Sequence, residues 1–427
     1  MDKLIVEGGR PLRGTVHTAG SKNAVLPILA GAILAREPLV IAGAPRLADV
    51  ATLLGILRDL GAEADQDTSG TITISCERDI AGRAPWDSVR KMRGSVCVLG
   101  PLLTRLGRAE VSLPGGCAFG VRPIELHLKG MRALGADVRV EHGYVIAEAP
   151  AGGLRGARMF LGSANGPSVL GTANVMMAAT LAKGTTVIEG AACEPEVVDL
   201  ADCLNAMGAK VTGHGSPIVT IEGVDELHGA RHTVIPDRIE AGTYVLAGAL
   251  AGGDVRVEGC RPEHLGALLD RMWEAGLPFD AGKDWIQTFA HDTNERRPRS
   301  TDVTTHAYPG FPTDLQAQWM ALMTRADGIS IITERIFPDR WMHVPELERL
   351  GAELRRQSSA VVVRGTARLS GAPVMASDLR ASAALVMAGL VAEGTTEVHR
   401  VYHIDRGYER IEDRLAGLGA AIRREKE

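Results

Sequence analysis

Residues 47–75 read "LADVATLLGILRDLGAEADQDTSGTITIS", and the reading of this stretch decides the fold. Leu47, Val50, Leu53, Leu54, Leu57 and Leu60 recur at helical spacing on one face, which predicts an amphipathic helix ending near Leu60. Gly61 then fits the C′ position, where a helix stops on a residue with positive φ. The residues after it alternate apolar and polar, as a half-buried strand does. The same phrase returns five times, as "MRALGADV", "LNAMGAKV", "MWEAGLPF", "LERLGAEL" and "LAGLGAAI". Its glycines are Gly61, Gly135, Gly208, Gly276, Gly351 and Gly419, spaced by 74, 73, 68, 75 and 68 residues.

Six units of about seventy residues therefore fill the chain. Each carries a turn, a short β-branched strand, a loop and a helix, as in "AKGTTVIEGAACEPEVVDL". This period is longer than that of solenoid repeats, so each unit is a small α/β fold and not one layer of a stack. Six copies suggest two domains of three. No Ser/Pro-rich linker separates them, so the copies are expected to share cores.

The bulk composition agrees. The chain has 427 residues, 45% hydrophobic and 23% charged, as in a globular protein with a sizeable core. Only 4% are aromatic, so Ala, Val, Leu and Ile must build that core. A net charge of −5 gives no global attraction to nucleic acid or anionic lipid. The first residues, "MDKLIVEGGRPL", lack a secretory pattern. The longest apolar run, "AVLPILAGAILA" at 24–35, is too short to span a bilayer. A cytoplasmic protein with reduced thiols is expected. Cys97, Cys203 and Cys260 read as small buried apolar side chains, and no Cys/His spacing suits zinc.

Several stretches break the repeat with polar residues. "SLPGGCAFGVRP" at 112–123 sets Cys117 on a glycine-rich segment near Arg122, which reads as a mobile loop whose arginine steadies a thiolate or a bound anion. A buried loop cysteine beside a surface arginine accounts for the same letters. "AGSKNAVLP" puts Lys22 and Asn23 at a helix start, where backbone N–H groups suit an anion; it lacks the Walker A spacing. "VRKMRGS" offers Lys91 and Arg93, or simply a solvated face. "GFPTDLQAQW" places Asp314 before a helix, where it could be only a cap. "MASDLRASAAL" pairs Asp378 with Arg380, and "YHIDRGYERIED" sets Arg406 beside Gly407, each at an expected helix start. If repeats pack around an axis, these loops converge. Lys22, Arg93, Arg122 and Arg406 would then form a pocket for a small, multiply charged anion such as a phosphate ester.

The blocks "SKNAVLP", "SLPGGCAFGVRPIELH", "PDRIEAGTY", "GFPTDLQAQW", "RWMHVPELERLGA", "MASDLRASAALVMAGL" and "YHIDRGYERIEDRLAGLGA" together resemble the enolpyruvyl transferases that act on UDP-N-acetylglucosamine. The resemblance runs from Lys3 to about Arg424. It implies an α/β (α+β) fold: a two-lobed inside-out α/β barrel of six βαβαββ-type repeats, three per lobe around pseudo-threefold axes. Residues 22–235 would form the lobe that carries Cys117. Residues 1–21 and 236–427 would form the other, with the active site in the cleft between.

The resemblance also implies transfer of enolpyruvyl from phosphoenolpyruvate to the 3-hydroxyl of UDP-N-acetylglucosamine, with release of phosphate, the first committed step of peptidoglycan synthesis. Protonating the methylene carbon needs an acid and the attacking hydroxyl needs a base. Cys117 would be the acid and would form a covalent adduct with phosphoenolpyruvate. A bound phosphate and carboxylate would restore the proton that Arg122 disfavours. Lys22, Arg93, Arg122 and Arg406 match the phosphoenolpyruvate-binding cations, with Lys22 and Arg406 among the catalytic set. Asp378 and Arg380 match a DLR motif whose Asp assists proton transfer. Asp314 matches the candidate base. Asn23, Pro123, Glu125, Leu126, His127, Ser168, Val169 and Ile336 match the nucleotide-sugar site, and Arg340 a family arginine near Asp314. No cofactor, metal, nucleic acid, membrane or obligatory protein partner is implied. A thiol at position 117 implies sensitivity to the epoxide fosfomycin.

Departures from the family pattern fall near the acceptor side. Glu125 stands where Asp is usual, Leu170 where Gly is usual, Gly166 where Lys or Phe is common, and Cys193 where Arg is usual. A relative that enolpyruvylates another uridine nucleotide, such as UMP, would fit the same machinery. A silent nucleotide-sugar-binding paralogue would be expected to lose Cys117 or Asp314. A cysteine hydrolase would need a histidine base and a third member beside Cys117. The sister enzyme that acts on shikimate phosphate lacks the "PGGC" loop.

Overall fold

The computed structural model describes residues 2–113, 115, 124–293 and 296–426. All six predicted stop glycines have positive φ, from +73° at Gly276 to +101° at Gly61. In each unit the glycine N–H bonds to the carbonyl three residues back, and the next N–H to the carbonyl five back. Gly61 donates to Arg58 and Ala62 to Leu57; Gly419 donates to Ala416 and Ala420 to Leu415. This is the Schellman geometry. The residues at its apolar positions are buried: Ala62 with Leu57, and Leu277 with Met272. The helix ahead of Gly61 spans Ala48–Asp59.

Among the described residues, six four-stranded sheets follow one plan. In the sheet of Arg83–Ala84, Arg108–Ser112, Tyr144–Glu148 and Asp137–Glu141, the first pair is parallel and the next two are antiparallel. The sheet of Val303–Thr304, Ile329–Thr333, Ala360–Arg364 and Glu353–Gln357 repeats it. In both of these a buried helix, Leu99–Leu106 or Gln316–Met323, lies in the connection between the two parallel strands, as parallel pairing requires. Helices and strands interleave throughout, so the fold is mixed α/β.

The chain divides into two compact units, one from Gly20 to Ile235, the other holding residues up to Ala19 and from Pro236 onward. In the first, Lys22–Gly31, Leu99–Leu106 and Val169–Ala179 are the inner helices. In the second they are Arg238–Leu250, Gln316–Met323 and Leu379–Val391. Every residue of Arg238–Leu250 and Gln316–Met323 is buried, as expected of helices apolar on all sides. The outer amphipathic helices, such as Pro195–Ala206, close over these cores. Trp319 fills the second core and meets Phe311 edge-on at 5.7 Å.

The two passages of the chain between units fall at 19–20 and 235–236. Within the first unit, the Ser21 N–H donates to the Ile235 carbonyl at 2.7 Å. Within the second, the Asp237 N–H donates to the Ala19 carbonyl at 2.9 Å, and the Ala19 N–H donates to Glu240 Oε2 at 2.7 Å. Burial and neighbouring Asp237 push the Glu240 carboxyl up to about 7, although the Ala19 N–H and Arg414 oppose the rise. The folded protein thus binds this proton more tightly than the unfolded chain does. Stability from it is full below the ordinary value of 4.5 and is lost as pH rises through about 7. Glu240→Gln should remove that dependence. The unfolding free energy of the parent relative to the variant should fall by roughly 3 kcal/mol from pH 4.5 to 8. Urea titrations across that range check it; a flat difference contradicts the assignment.

Candidate functional site

In the second unit the inner helices Arg238–Leu250 and Leu379–Val391 begin on aspartates. Asp237 caps Arg238–Leu250, accepting from the N–H groups of Ile239 and Glu240. Asp378 caps Leu379–Val391, with Oδ1 accepting from the Arg380 and Ala381 N–H groups at 2.8 and 3.1 Å. Asp314 differs. It lies in the 3-10 turn Thr313–Leu315 and makes no side-chain cap. Its carboxylate is instead held between two arginines: Arg340 Nη1 donates to Oδ1 at 2.7 Å and Arg380 Nη2 to Oδ2 at 3.4 Å.

Both guanidiniums are nearly fully buried, whereas Asp314 keeps a quarter of its side-chain surface exposed. Burial alone would weaken the charge on Arg380, but Tyr408 and Asp314 outweigh it and raise its pKa. For Arg340 the opposing groups are Asp314, Asp378 and Glu334. The result is a carboxylate fixed by two guanidinium donors and still partly exposed, an arrangement suited to accepting a proton from a hydroxyl. Behind it, Arg380 Nη1 donates to Tyr408 Oη at 3.2 Å, and Tyr408 Oη lies 2.8 Å from Thr243 Oγ1. Gln318 Nε2 donates to Thr243 Oγ1 and to the Asp314 carbonyl.

Two histidines border this site. Burial pushes His343 down to about 4, with Arg340 adding to the fall and Asp378 opposing it. Burial and then Arg406 lower His403. Asp378 opposes that fall, so Arg406 and Asp378 both act on His403. Arg406 does not open a helix, as the sequence reading expected. It ends the 3-10 turn Val401–Arg406, and the helix begins at Ile411. Ile336 is half-buried on the loop after Ile329–Thr333.

In the first unit Ser21 caps Lys22–Gly31, so Lys22 and Asn23 sit in its first turn. Lys22 Nζ pairs with Asp49 at 2.8 Å. Arg93 opens the 3-10 turn Arg93–Val98, which runs into Leu99–Leu106, while Lys91 is exposed. Buried His127 Nδ1 lies 3.0 Å from Asn174 Nδ2. An amide nitrogen can only donate, so Nδ1 accepts and His127 is the neutral tautomer with its proton on Nε2. Burial, then Arg93, push its pKa down to about 3. Asn174 also donates to the Val96 carbonyl and accepts from the Gly100 N–H. One amide thereby ties together the turn that carries Arg93, the helix behind it and His127.

Ser168 caps Val169–Ala179 by accepting from the Gly171 N–H at 3.0 Å. A Cβ on Gly171 would lie 2.8 Å from Ser168 Oγ and 3.5 Å from Leu126 Cβ, so Leu126, Ser168 and Val169 are neighbours. Glu125 is exposed in the first turn of Glu125–Ala133. Among the departures, Leu170 packs against the core. Gly166 has φ +96° in the short hairpin of Gly162–Ser163 and Gly166–Pro167, a conformation strained for a residue with a side chain. Cys97, Cys203 and Cys260 are buried, and burial pushes their thiols up to about 12, 12 and 11. Cys117, Arg122 and Pro123 lie outside the described residues.

The sequence reading did not single out Asp49, Asn174, Thr243, Gln318, Glu334 or Tyr408. A signal was available for two. Asn174 is a lone amide in the apolar run "VMMAA" and its neighbours, and Gln318 sits in a helix with no polar face.

The sequence pattern of the EPSP synthase (3-phosphoshikimate 1-carboxyvinyltransferase) family matches residues 6–415. A UDP-N-acetylglucosamine 1-carboxyvinyltransferase of Anaeromyxobacter sp. (strain Fw109-5) is 55% identical over the whole of both chains. One of Coxiella burnetii (strain Dugway 5J108-111) is 50% identical over 99% of this chain and 96% of its own. Among solved structures, the enolpyruvyl transferase NikO from Streptomyces tendae superposes with a TM-score of 0.89 at 27% identity, covering 99% of this chain and 98% of that one. EPSP synthase from Acinetobacter baumannii shares the fold, with a TM-score of 0.73 at 18% identity over the full length of both. With a family pattern spanning nearly its whole length and relatives at half identity or more, this chain belongs to the enolpyruvyl (carboxyvinyl) transferases, among the UDP-N-acetylglucosamine 1-carboxyvinyltransferases.

Proposed function

We propose that this enzyme transfers the enolpyruvyl group of phosphoenolpyruvate to the 3-hydroxyl of UDP-N-acetylglucosamine and releases phosphate, as the opening step toward peptidoglycan. The observation that carries the mechanism is the partly exposed Asp314 carboxylate held between Arg340 and Arg380. The full-length likeness to the relatives named above supports the acceptor.

The steps assign each residue a task. Asp314 takes the proton of the 3-hydroxyl as its oxygen attacks C2 of phosphoenolpyruvate. Cys117 delivers a proton to C3, which completes a tetrahedral adduct. Loss of a C3 proton, assisted by Asp378, then expels phosphate and leaves the enol ether. Lys22, Arg93, Arg122 and Arg406 balance the charge of the phosphate and carboxylate. Asn23, Pro123, Glu125, Leu126, His127, Ser168, Val169 and Ile336 hold the nucleotide sugar, with His127 as a neutral Nε2–H donor. The partners are small molecules. The reading places the enzyme in the cytoplasm; among the described residues no helix is long and apolar enough to cross a membrane.

Phosphate release measured with phosphoenolpyruvate and either UDP-N-acetylglucosamine or UMP tests the reading. Turnover is expected with the nucleotide sugar and not with UMP. Turnover with UMP alone would move the acceptor to a bare nucleotide.

A further inference from the structure

Glu334 lies at the end of Ile329–Thr333 and its side chain has no exposed surface. A buried carboxylate is costly unless its lone pairs are filled. Here four donors fill them. Oε1 accepts from Thr305 Oγ1 at 2.7 Å and from the backbone N–H groups of Ile336 and Phe337 at 2.7 and 2.9 Å. Oε2 accepts from Thr313 Oγ1 at 2.9 Å. Thr305 in turn accepts from the Arg335 N–H.

The Thr313 contact has a consequence for direction. A hydroxyl has one proton. Because Thr313 gives it to Glu334, its lone pairs must face elsewhere, and Arg340 Nη1 donates to them at 3.0 Å. That same Nη1 donates to Asp314 Oδ1 at 2.7 Å. The order of donation is therefore fixed: Arg340 to Thr313 and Asp314, and Thr313 to Glu334. The other oxygen of Glu334 fixes the loop that carries Ile336.

We infer that Glu334 is a positioning residue that couples two parts of the reaction site, setting the Asp314 carboxylate through Thr313 and Arg340 and setting the acceptor-side loop at Ile336 through its backbone. This rests on the roles proposed above for Asp314 and Ile336. The charge of Glu334 matters as well as its shape, since it supports the cationic Arg340. An amide at 334 can satisfy three of the donors through one oxygen. Its NH2 would then face Thr313 and donate to it. The threonine hydroxyl would have to turn its proton away from residue 334 and lose that acceptor, so the order of donation that sets Thr313 against Arg340 would no longer be fixed.

The test uses the full-length enzyme with Glu334→Gln, Thr313→Val and Thr313→Ser. Glu334→Gln and Thr313→Val should each lower kcat by about 10- to 50-fold, as expected for a displaced catalytic group. KM for the nucleotide sugar should rise several-fold in Glu334→Gln, about as one charge-assisted hydrogen bond warrants, with KM for phosphoenolpyruvate unchanged. Thr313→Ser restores the hydroxyl and should recover most of the rate. Thr313→Val keeps the test alive if Glu334→Gln fails to fold, because Thr313 is only partly buried. If Thr313→Val and Thr313→Ser behave alike, or if KM for both substrates rises together, the coupling is overturned. Asp314→Asn in parallel separates the two claims. An active Asp314→Asn defeats the role of Asp314 itself, whereas an inactive Asp314→Asn beside a fully active Thr313→Val defeats only this inference.

Discussion

Replacing Asp314 by asparagine is expected to lower kcat by about 10³-fold, within the range that a positioned general base supplies. The amide has the shape of the carboxylate but a far weaker affinity for a proton. Arg340 and Arg380 hold the side chain from behind, at 2.7 and 3.4 Å, so the substitution leaves the accessible face in place and removes only its basicity. Binding of both substrates should therefore survive. The price of the change is two buried guanidiniums facing a neutral amide, so a modest fall in melting temperature should accompany it. Steady-state phosphate release, with equilibrium binding of the nucleotide sugar, checks the split. A variant that keeps more than about a tenth of the parent rate would remove Asp314 from the role of base.

The second large effect concerns the first unit's core. Gly100→Ala should destabilise the protein by roughly 3–5 kcal/mol, above the usual cost of overpacking because a buried hydrogen bond goes with it. A Cβ on Gly100 would lie 2.3 Å from the Asn174 carbonyl oxygen and 2.5 Å from its Oδ1. The first is backbone inside Val169–Ala179 and cannot swing aside. Relief requires the two inner helices to part, which breaks the Gly100 N–H bond to Asn174 Oδ1 at 2.7 Å. Asn174 also holds His127, so nucleotide-sugar binding should weaken in step with stability. Urea unfolding measures the first and calorimetric titration the second. Loss of stability with unaltered binding would show that Asn174 does not set the orientation of His127.

Much of the fold was legible because the relevant physics is local. A helix that ends on Gly61 does so because its own residues repeat at helical spacing and because a positive φ suits glycine. The same two facts recur at Gly135, Gly208, Gly276, Gly351 and Gly419, so one phrase read six times delivers six helix ends and the strands after them. The capping role of Asp378 is local in the same way, since it meets N–H groups two and three residues on. Arg406 shows where the local reading failed. Gly407 suggested a helix start, but the chain first makes the 3-10 turn Val401–Arg406, and Arg410 adopts positive φ before the helix begins.

The sequence by itself determined the repeat, the ends of its outer helices, the apolar inner helices and the charged residues that open them. Only the tertiary structure decided which of those charges meet. Asp314 and Asp378 both precede helices, yet one caps and the other does not. Arg340 and Arg380, 26 and 66 residues away in the chain, hold Asp314 instead. Asn174 finds His127 across 47 residues, and Glu334 finds Thr313 across 21. These pairings depend on how whole helices and strands pack, so no window of the sequence contains them. Each buried polar group must still find a partner once water is excluded, and the fold chooses that partner.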